Sequence, residues 1–209
     1  MSRRAVALLV AAASLGCTPR PAVTPAVAST RADAGLTDAE VTRRLAFIEG
    51  RLRAGTPAAE RWWTGWLAGF TALTLGQAVV ALATTDPGLR KDAAVGAASS
   101  SLGVIPLGLF PFPDRYAAAA VARLAASTPA LRREKLARAE ALLEKCAEAD
   151  AAGRAWTAHA LSAGVSIGVG LVQAFVYDRP RSGVLSAVGG VGLSEAQIFT
   201  RPTAAIEGP

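Results

Sequence analysis

A chain of 209 residues that is 52% hydrophobic and only 18% charged is long enough for one domain and more apolar than a soluble domain of that size, so a membrane is the first solvent to consider. Aromatic residues make up 6% while Ala and Gly abound, which suits closely packed helices and argues against a β core cemented by rings. The net charge of +6 arises from 22 basic residues mixed with 16 acidic ones; without a long basic run or an aromatic-interleaved stripe, it speaks against a nucleic-acid partner.

Residues 1–17, MSRRAVALLVAAASLGC, set Arg3 and Arg4 before an apolar stretch that ends in small side chains. This is the layout of a secretory signal, and about a dozen residues are too few to span a bilayer. Ser14-Leu15-Gly16-Cys17 resembles a bacterial lipoprotein cleavage box and makes Cys17 the candidate for lipidation. Ser14 stands where that box carries Leu, and cleavage after Ala13 is the competing reading. Residues 18–36 hold Pro, Thr and Ala without period and read as a flexible linker. With Cys17 lipidated, Cys146 is the one remaining thiol, so an exported chain must be held by packing and not by a disulfide.

From Leu36 the pattern changes. Thr37 and Asp38 form an N-cap, with Glu40 placed as in a capping box, and Val41, Leu45, Ile48 and Leu52 recur at helical steps in a polar helix that runs to about Arg53. Trp62 to Thr84 then carries no charge and is long enough to cross a hydrocarbon core of roughly 30 Å. Asp86-Pro87-Gly88 is a turn, and Ala93 to Phe112 returns, with Pro106 and Pro111 kinking or ending the stretch. The same order recurs: a charged helix from about Ala130 to Asp150, an uncharged stretch from Ala155 to Tyr177, a turn at Asp178-Arg179-Pro180, and an apolar stretch from Gly183 to Phe199. At an offset of 93 residues, Trp63-Thr64 falls on Trp156-Thr157, Pro87 on Pro180, and Ala94-Val95-Gly96 on Ala187-Val188-Gly189. The expected fold is all-α, a tandem repeat of a polar helix plus a hydrophobic hairpin. Repeat 1 covers residues 37–112 and repeat 2 covers 113–202, with a tail at 203–209. Both polar helices then lie on one side as a helical cap over a four-helix transmembrane bundle.

Two signals disagree about orientation. The cap side carries fifteen basic residues against Arg90, Lys91, Arg179 and Arg181 in the turns, which by the positive-inside rule places the cap in the cytoplasm. A cleaved signal places it outside. The signal is the stronger guide, because several cap arginines sit beside Glu and long segments translocate regardless of charge. The expected location is the bacterial inner membrane with a periplasmic cap; a periplasmic bundle whose hairpins are only a buried core is the third possibility.

Glu195, His159, Gln77 and Gln173 stand out among the polar residues of the apolar segments. Glu195 is the first candidate, since an acid there is costly; it lies about 21 Å along its helix from Arg181. His159 falls at a similar depth, within pairing distance across the bundle. The plainer reading is that Glu195 snorkels to the interface and that His159 takes the place Trp66 has in the first repeat. Gln77 and Gln173 serve as interhelical glue or as substrate contacts, and Ser99, Ser100 and Ser101 bond back to their own helix. Gly65-x-x-x-Gly69 and Gly164-x-x-x-Gly168 have the spacing of close helix contacts. Trp62, Trp63, Trp66 and Trp156 read as an interfacial belt, with ligand stacking the lesser alternative. No catalytic, cofactor or metal site is expected: one His cannot join two distant Cys as zinc ligands, and no nucleophile has a base beside it.

The closing segment from Gly192 to Pro202, with Glu195, Gln197, Ile198 and Thr200, together with Trp62-Trp63 and the Asp-Pro turn, resembles a loosely defined group of bacterial exported membrane proteins. That group has an export signal and a terminal Gly-Glu-x-Gln-Ile-x-Thr-x-Pro stretch; Ser194 here replaces its Gly. The resemblance implies topology and names no activity. The expected function is a non-enzymatic envelope scaffold or assembly partner, its partners being the lipid bilayer and other envelope proteins or further copies of the chain. The alternative is a small transporter or channel-like protein working through Glu195 and the Gln residues.

Overall fold

A computed structural model describes residues 35–110 and 112–203. The signal, Cys17 and most of the linker lie outside the described residues. Contacts divide the chain after Leu36, and Thr37–Pro209 forms one unit. Among the described residues there is no strand. The helices are α1 (Asp38–Ala83), α2 (Pro87–Leu109), a short α3 (Ala117–Ala122), α4 (Pro129–Arg154), α5 (Trp156–Leu171) and α6 (Pro180–Phe199). A 3-10 turn, Pro113–Arg115, precedes α3, and a π-helical turn, Val172–Val176, ends α5.

The polar helix expected to stop near Arg53 and the span expected to open at Trp62 are one 46-residue helix, about 69 Å long at 1.5 Å per residue. It starts where Thr37 Oγ1 accepts from the Glu40 amide at 3.3 Å. It runs through Pro57, although an interior proline removes one backbone bond at a cost of about 3 kcal/mol. The buried series Val41, Leu45, Ile48, Leu52, Gly55 and Ala59 continues across that point, and each buried Leu or Ile contributes about 1.5–3 kcal/mol against it. In the second half the chain breaks instead: Ala155 is extended, with φ −64° and ψ 149°, so α4 and α5 are separate helices.

The cap half of α1 packs beside α4. Asp38 meets Arg133 at 2.9 Å and Glu49 meets Lys135 at 2.7 Å; farther along α1, Thr56 Oγ1 donates to the Asp114 carbonyl of the 3-10 turn at 3.2 Å, and the Asp114 side chain in turn bonds Cys146, later in α4. Parallel packing places both polar segments at one end. Along α1 and α2 the partners step oppositely: Gln77 lies on Gly96, Phe70 on Gly103, and Trp63 Nε1 donates to Leu107 O at 3.0 Å. The α5–α6 pair is antiparallel too, with Gly170 against Gly183 and Ser166 against Gly190.

Three helical stretches, in α1, α2 and Trp156–Val176, are long and apolar enough to cross a membrane. The helix α6 is not among them. Its Arg181, Ser182, Ser186, Ser194, Glu195 and Gln197, with four glycines, dilute the apolar side chains. The close-contact glycines also differ from expectation. A Cβ on Gly65, Gly69, Gly164 or Gly168 would meet nothing within 4 Å, whereas one on Gly96, Gly103, Gly170, Gly183 or Gly190 would strike the neighbouring helix. The x-x-x spacing marks one face of a helix, and these pairs face away from the partner.

Candidate functional site

Three polar clusters stand at different levels. At the turn end, Asp86 caps α2 by accepting from the amides of Gly88 at 2.6 Å and Leu89 at 3.0 Å, and these bonds hold its carboxyl below the usual range. The second turn passes through the π-helical segment, where Arg179 N donates to Gln173 O at 3.0 Å. It also passes through Asp178 at φ 57°, a left-handed position that Asp tolerates. This geometry aims the Arg179 guanidinium at Asp92, with bonds of 2.8 and 2.7 Å, while Ser182 Oγ adds a third at 2.8 Å. A forked arginine–carboxylate pair thus joins the two hairpins at their turns.

Nearer the turns than the cap, the expected glutamines do not join one site. Gln173 is 1% exposed, and its Oε1 has no hydrogen-bond partner. The Gln77 Oε1 is likewise buried without a partner, against Gly96. Ser99 and Ser101 donate to the carbonyls of Gly96 and Ala98 on their own helix. Toward the cap, α5 and α6 bring His159 and Glu195 together, Nδ1 to Oε2 at 2.7 Å, with the Phe199 ring 5.7 Å from the imidazole. Gln173 lies fourteen residues on from His159 along α5, or about 21 Å.

The tryptophans act at the boundary between cap and hairpins. Trp62 Nε1 donates to Gln197 O at 3.2 Å, and Trp66 Nε1 to Thr200 Oγ1 at 3.1 Å, so both reach from α1 to the end of α6. Arg115 stacks 3.6 Å above Trp63. Trp156 stands apart, 77% exposed at the start of α5.

Just inside this boundary is a cluster that no sequence motif indicated. Asp114, Cys146 and Asp150 are buried, and Arg201, which follows α6, reaches them past Gly153 and over the Phe112 and Trp62 rings at 4.5 and 5.4 Å. Burial raises the Asp114 carboxyl above its ordinary value, against the opposing pull of Arg201. Burial first, then the two nearby carboxylates, push the Cys146 thiol up to about 12. Burial lowers Arg201, which Asp150 and Asp114 oppose. The arrangement is a buried electrostatic tie between the end of α6, α4 and the 3-10 turn, and Arg154 strengthens it by donating to Arg201 O at 2.6 Å. Its parts come from three distant segments; the one available signal was Arg201 itself, a lone cation after an apolar helix.

Fold and clusters together define an all-helical protein with three helices apolar enough to span a membrane and a charged helical end. Comparison with family models, with curated proteins and with solved structures gives no match.

Proposed function

We propose that the chain is an integral protein of the bacterial inner membrane, a non-enzymatic envelope scaffold or assembly partner of the exported type its closing segment resembles. Its two repeats form a four-helix transmembrane bundle, and the periplasmic cap of α1 and α4 is the part that engages other proteins. Lipidated Cys17, in this reading, adds a second anchor. One observation supports membrane embedding above all: within the apolar windows of α1, α2 and Trp156–Val176 only 6%, 11% and 17% of residues are buried inside the protein. A water-soluble bundle of this composition would turn those side chains inward, whereas Leu75, Val79, Leu82, Leu109, Leu161, Phe175 and Leu185 all face out. The charged cap and the boundary tryptophans fit the same embedding.

Single cysteines introduced at Arg123 in the cap and Lys91 in the turn, both exposed, test this in intact cells with a membrane-impermeant thiol reagent, background from the Cys146→Ser chain being subtracted. Labelling of the cap alone is expected. Labelling of the turn alone would reverse the orientation, and labelling of both would mean that the hairpins do not span.

A second reading, a small transporter, is favoured by the His159–Glu195 contact at 2.7 Å inside the α5–α6 hairpin. The distance of about 21 Å between it and Gln173 leaves these polar groups as separate stations. Purified protein in vesicles separates the readings: a transporter would pass protons or cations and lose that passage in Glu195→Gln, whereas a scaffold would pass none.

A further inference from the structure

Three of the four tryptophans give their indole N–H to an acceptor within the chain: Trp62 to Gln197 O, Trp63 to Leu107 O and Trp66 to Thr200 Oγ1. The fourth does not. Among the described residues Trp156 Nε1 meets no acceptor, and its ring is 77% exposed where the apolar stretch of α5 opens. A ring with one apolar and one donating edge, so placed, suits the level where acyl chains meet headgroups. Arg154, exposed two residues earlier, is held by Nη2 donating to Phe199 O at 3.4 Å and to Arg201 O at 2.6 Å. Both acceptors are uncharged carbonyls, so these bonds fix the guanidinium without neutralising it. Phe199 is 70% exposed, with its ring 5.7 Å from His159, and His159 lies three residues after Trp156 on the same helical face. Glu195, the acid on this side, is engaged by His159 at 2.7 Å.

We infer that Arg154 and Trp156, flanked by Phe199, bind the headgroup of an anionic phospholipid in the leaflet on the cap side. The patch continues into the apolar side chains that face out from the hairpin, Leu161 among them, so an acyl chain has a surface to follow. Every phospholipid offers a phosphate. In a zwitterionic headgroup the attached ammonium cancels that charge and meets the Arg154 cation, whereas a glycerol headgroup leaves the charge whole and adds hydroxyl oxygens that can accept from the indole N–H. The inference rests on the membrane-embedded reading above and names a ligand within that bilayer.

The test uses the full chain in phosphatidylcholine vesicles that contain a series of mole fractions of either phosphatidylglycerol or phosphatidylcholine brominated high on the acyl chain. Bromine quenches a nearby indole, and the Trp156 signal is the difference between the unaltered chain and Trp156→Phe. Phosphatidylglycerol should reach half-maximal quenching at about one-fifth of the mole fraction that phosphatidylcholine needs, the contribution of one arginine beside an anionic headgroup. The preference should vanish in Arg154→Gln and fall toward unity as salt is raised to about 1 M. Equal quenching by the two lipids, a preference that persists in Arg154→Gln, or one that salt does not weaken would overturn the inference; the salt series needs no variant. Equal quenching leaves the embedding intact, while no quenching by either lipid would overturn the embedding as well.

Discussion

His159 Nδ1 stands 2.7 Å from Glu195 Oε2, so two polar side chains isolated in apolar sequence satisfy each other within one hairpin. Glu195→Gln keeps an acceptor for the imidazole and should cost at most about 1 kcal/mol. His159→Ala leaves the carboxyl without that partner and should cost about 1–3 kcal/mol. Thermal unfolding of both variants in detergent micelles measures the difference, and losses near zero in both would mean that the contact contributes nothing.

The buried tie at the cap boundary makes stability depend on pH through Asp114. Its folded-state pKa is raised from 3.8 by burial, so the folded chain holds this proton more firmly than the unfolded chain. The contribution is full below the ordinary value and is lost as pH rises through the folded pKa. Asp114→Asn cannot ionise, and its melting temperature relative to the unaltered protein should climb as pH is raised from about 4 toward neutrality. A constant difference across that range would refute this.

Cys146 is 0% exposed, and its thiol is pushed up to about 12. Because the thiolate is the reactive species, the folded protein should be modified at Cys146 by maleimide at pH 8 only at the rate of global unfolding. Detergent-solubilised protein followed by mass spectrometry gives that rate, and denaturant should raise it steeply.

Glycine substitutions should separate two kinds of position. In Gly183→Ala the new methyl would meet the Gly170 carbonyl and lie 3.0 Å from Ala174 Cβ, an overpacking that costs about 1–3 kcal/mol. Gly164→Ala meets nothing within 4 Å and should stabilise its helix by up to about 1 kcal/mol. Unfolding midpoints in mixed micelles decide between them.

At the turns, Arg179→Ala removes the forked bond to Asp92 and leaves that carboxyl only Ser182. Spin labels at Leu89 and Arg181, both exposed, should then report a broader distribution of distances between the turns. An unchanged distribution would show that other packing holds the hairpins together there.

Much of the helical layout was legible because it rests on local periodicity: the stripe Val41, Leu45, Ile48 and Leu52 is buried, and Thr37 and Asp86 cap their helices. What was missed depended on distant residues. The end expected near Arg53 is overridden by packing that carries the helix on through Pro57, and Gly65 looks like a contact until its face is known. The tie among Asp114, Asp150, Cys146 and Arg201 draws on segments far apart in the chain, each unremarkable alone. The parting of α4 and α5 at Ala155, by contrast, falls where the charged stretch gives way to the uncharged one in the sequence.

That parting leaves cap and hairpin joined differently in the two halves. In the first, α1 carries the cap into the hairpin as one helix, Pro57 included; in the second, the extended Ala155 stands between them. Among the described residues the only continuous rod from cap to far turn is therefore α1, and at that far turn the Arg179–Asp92 fork ties the interrupted half to the hairpin that α1 opens.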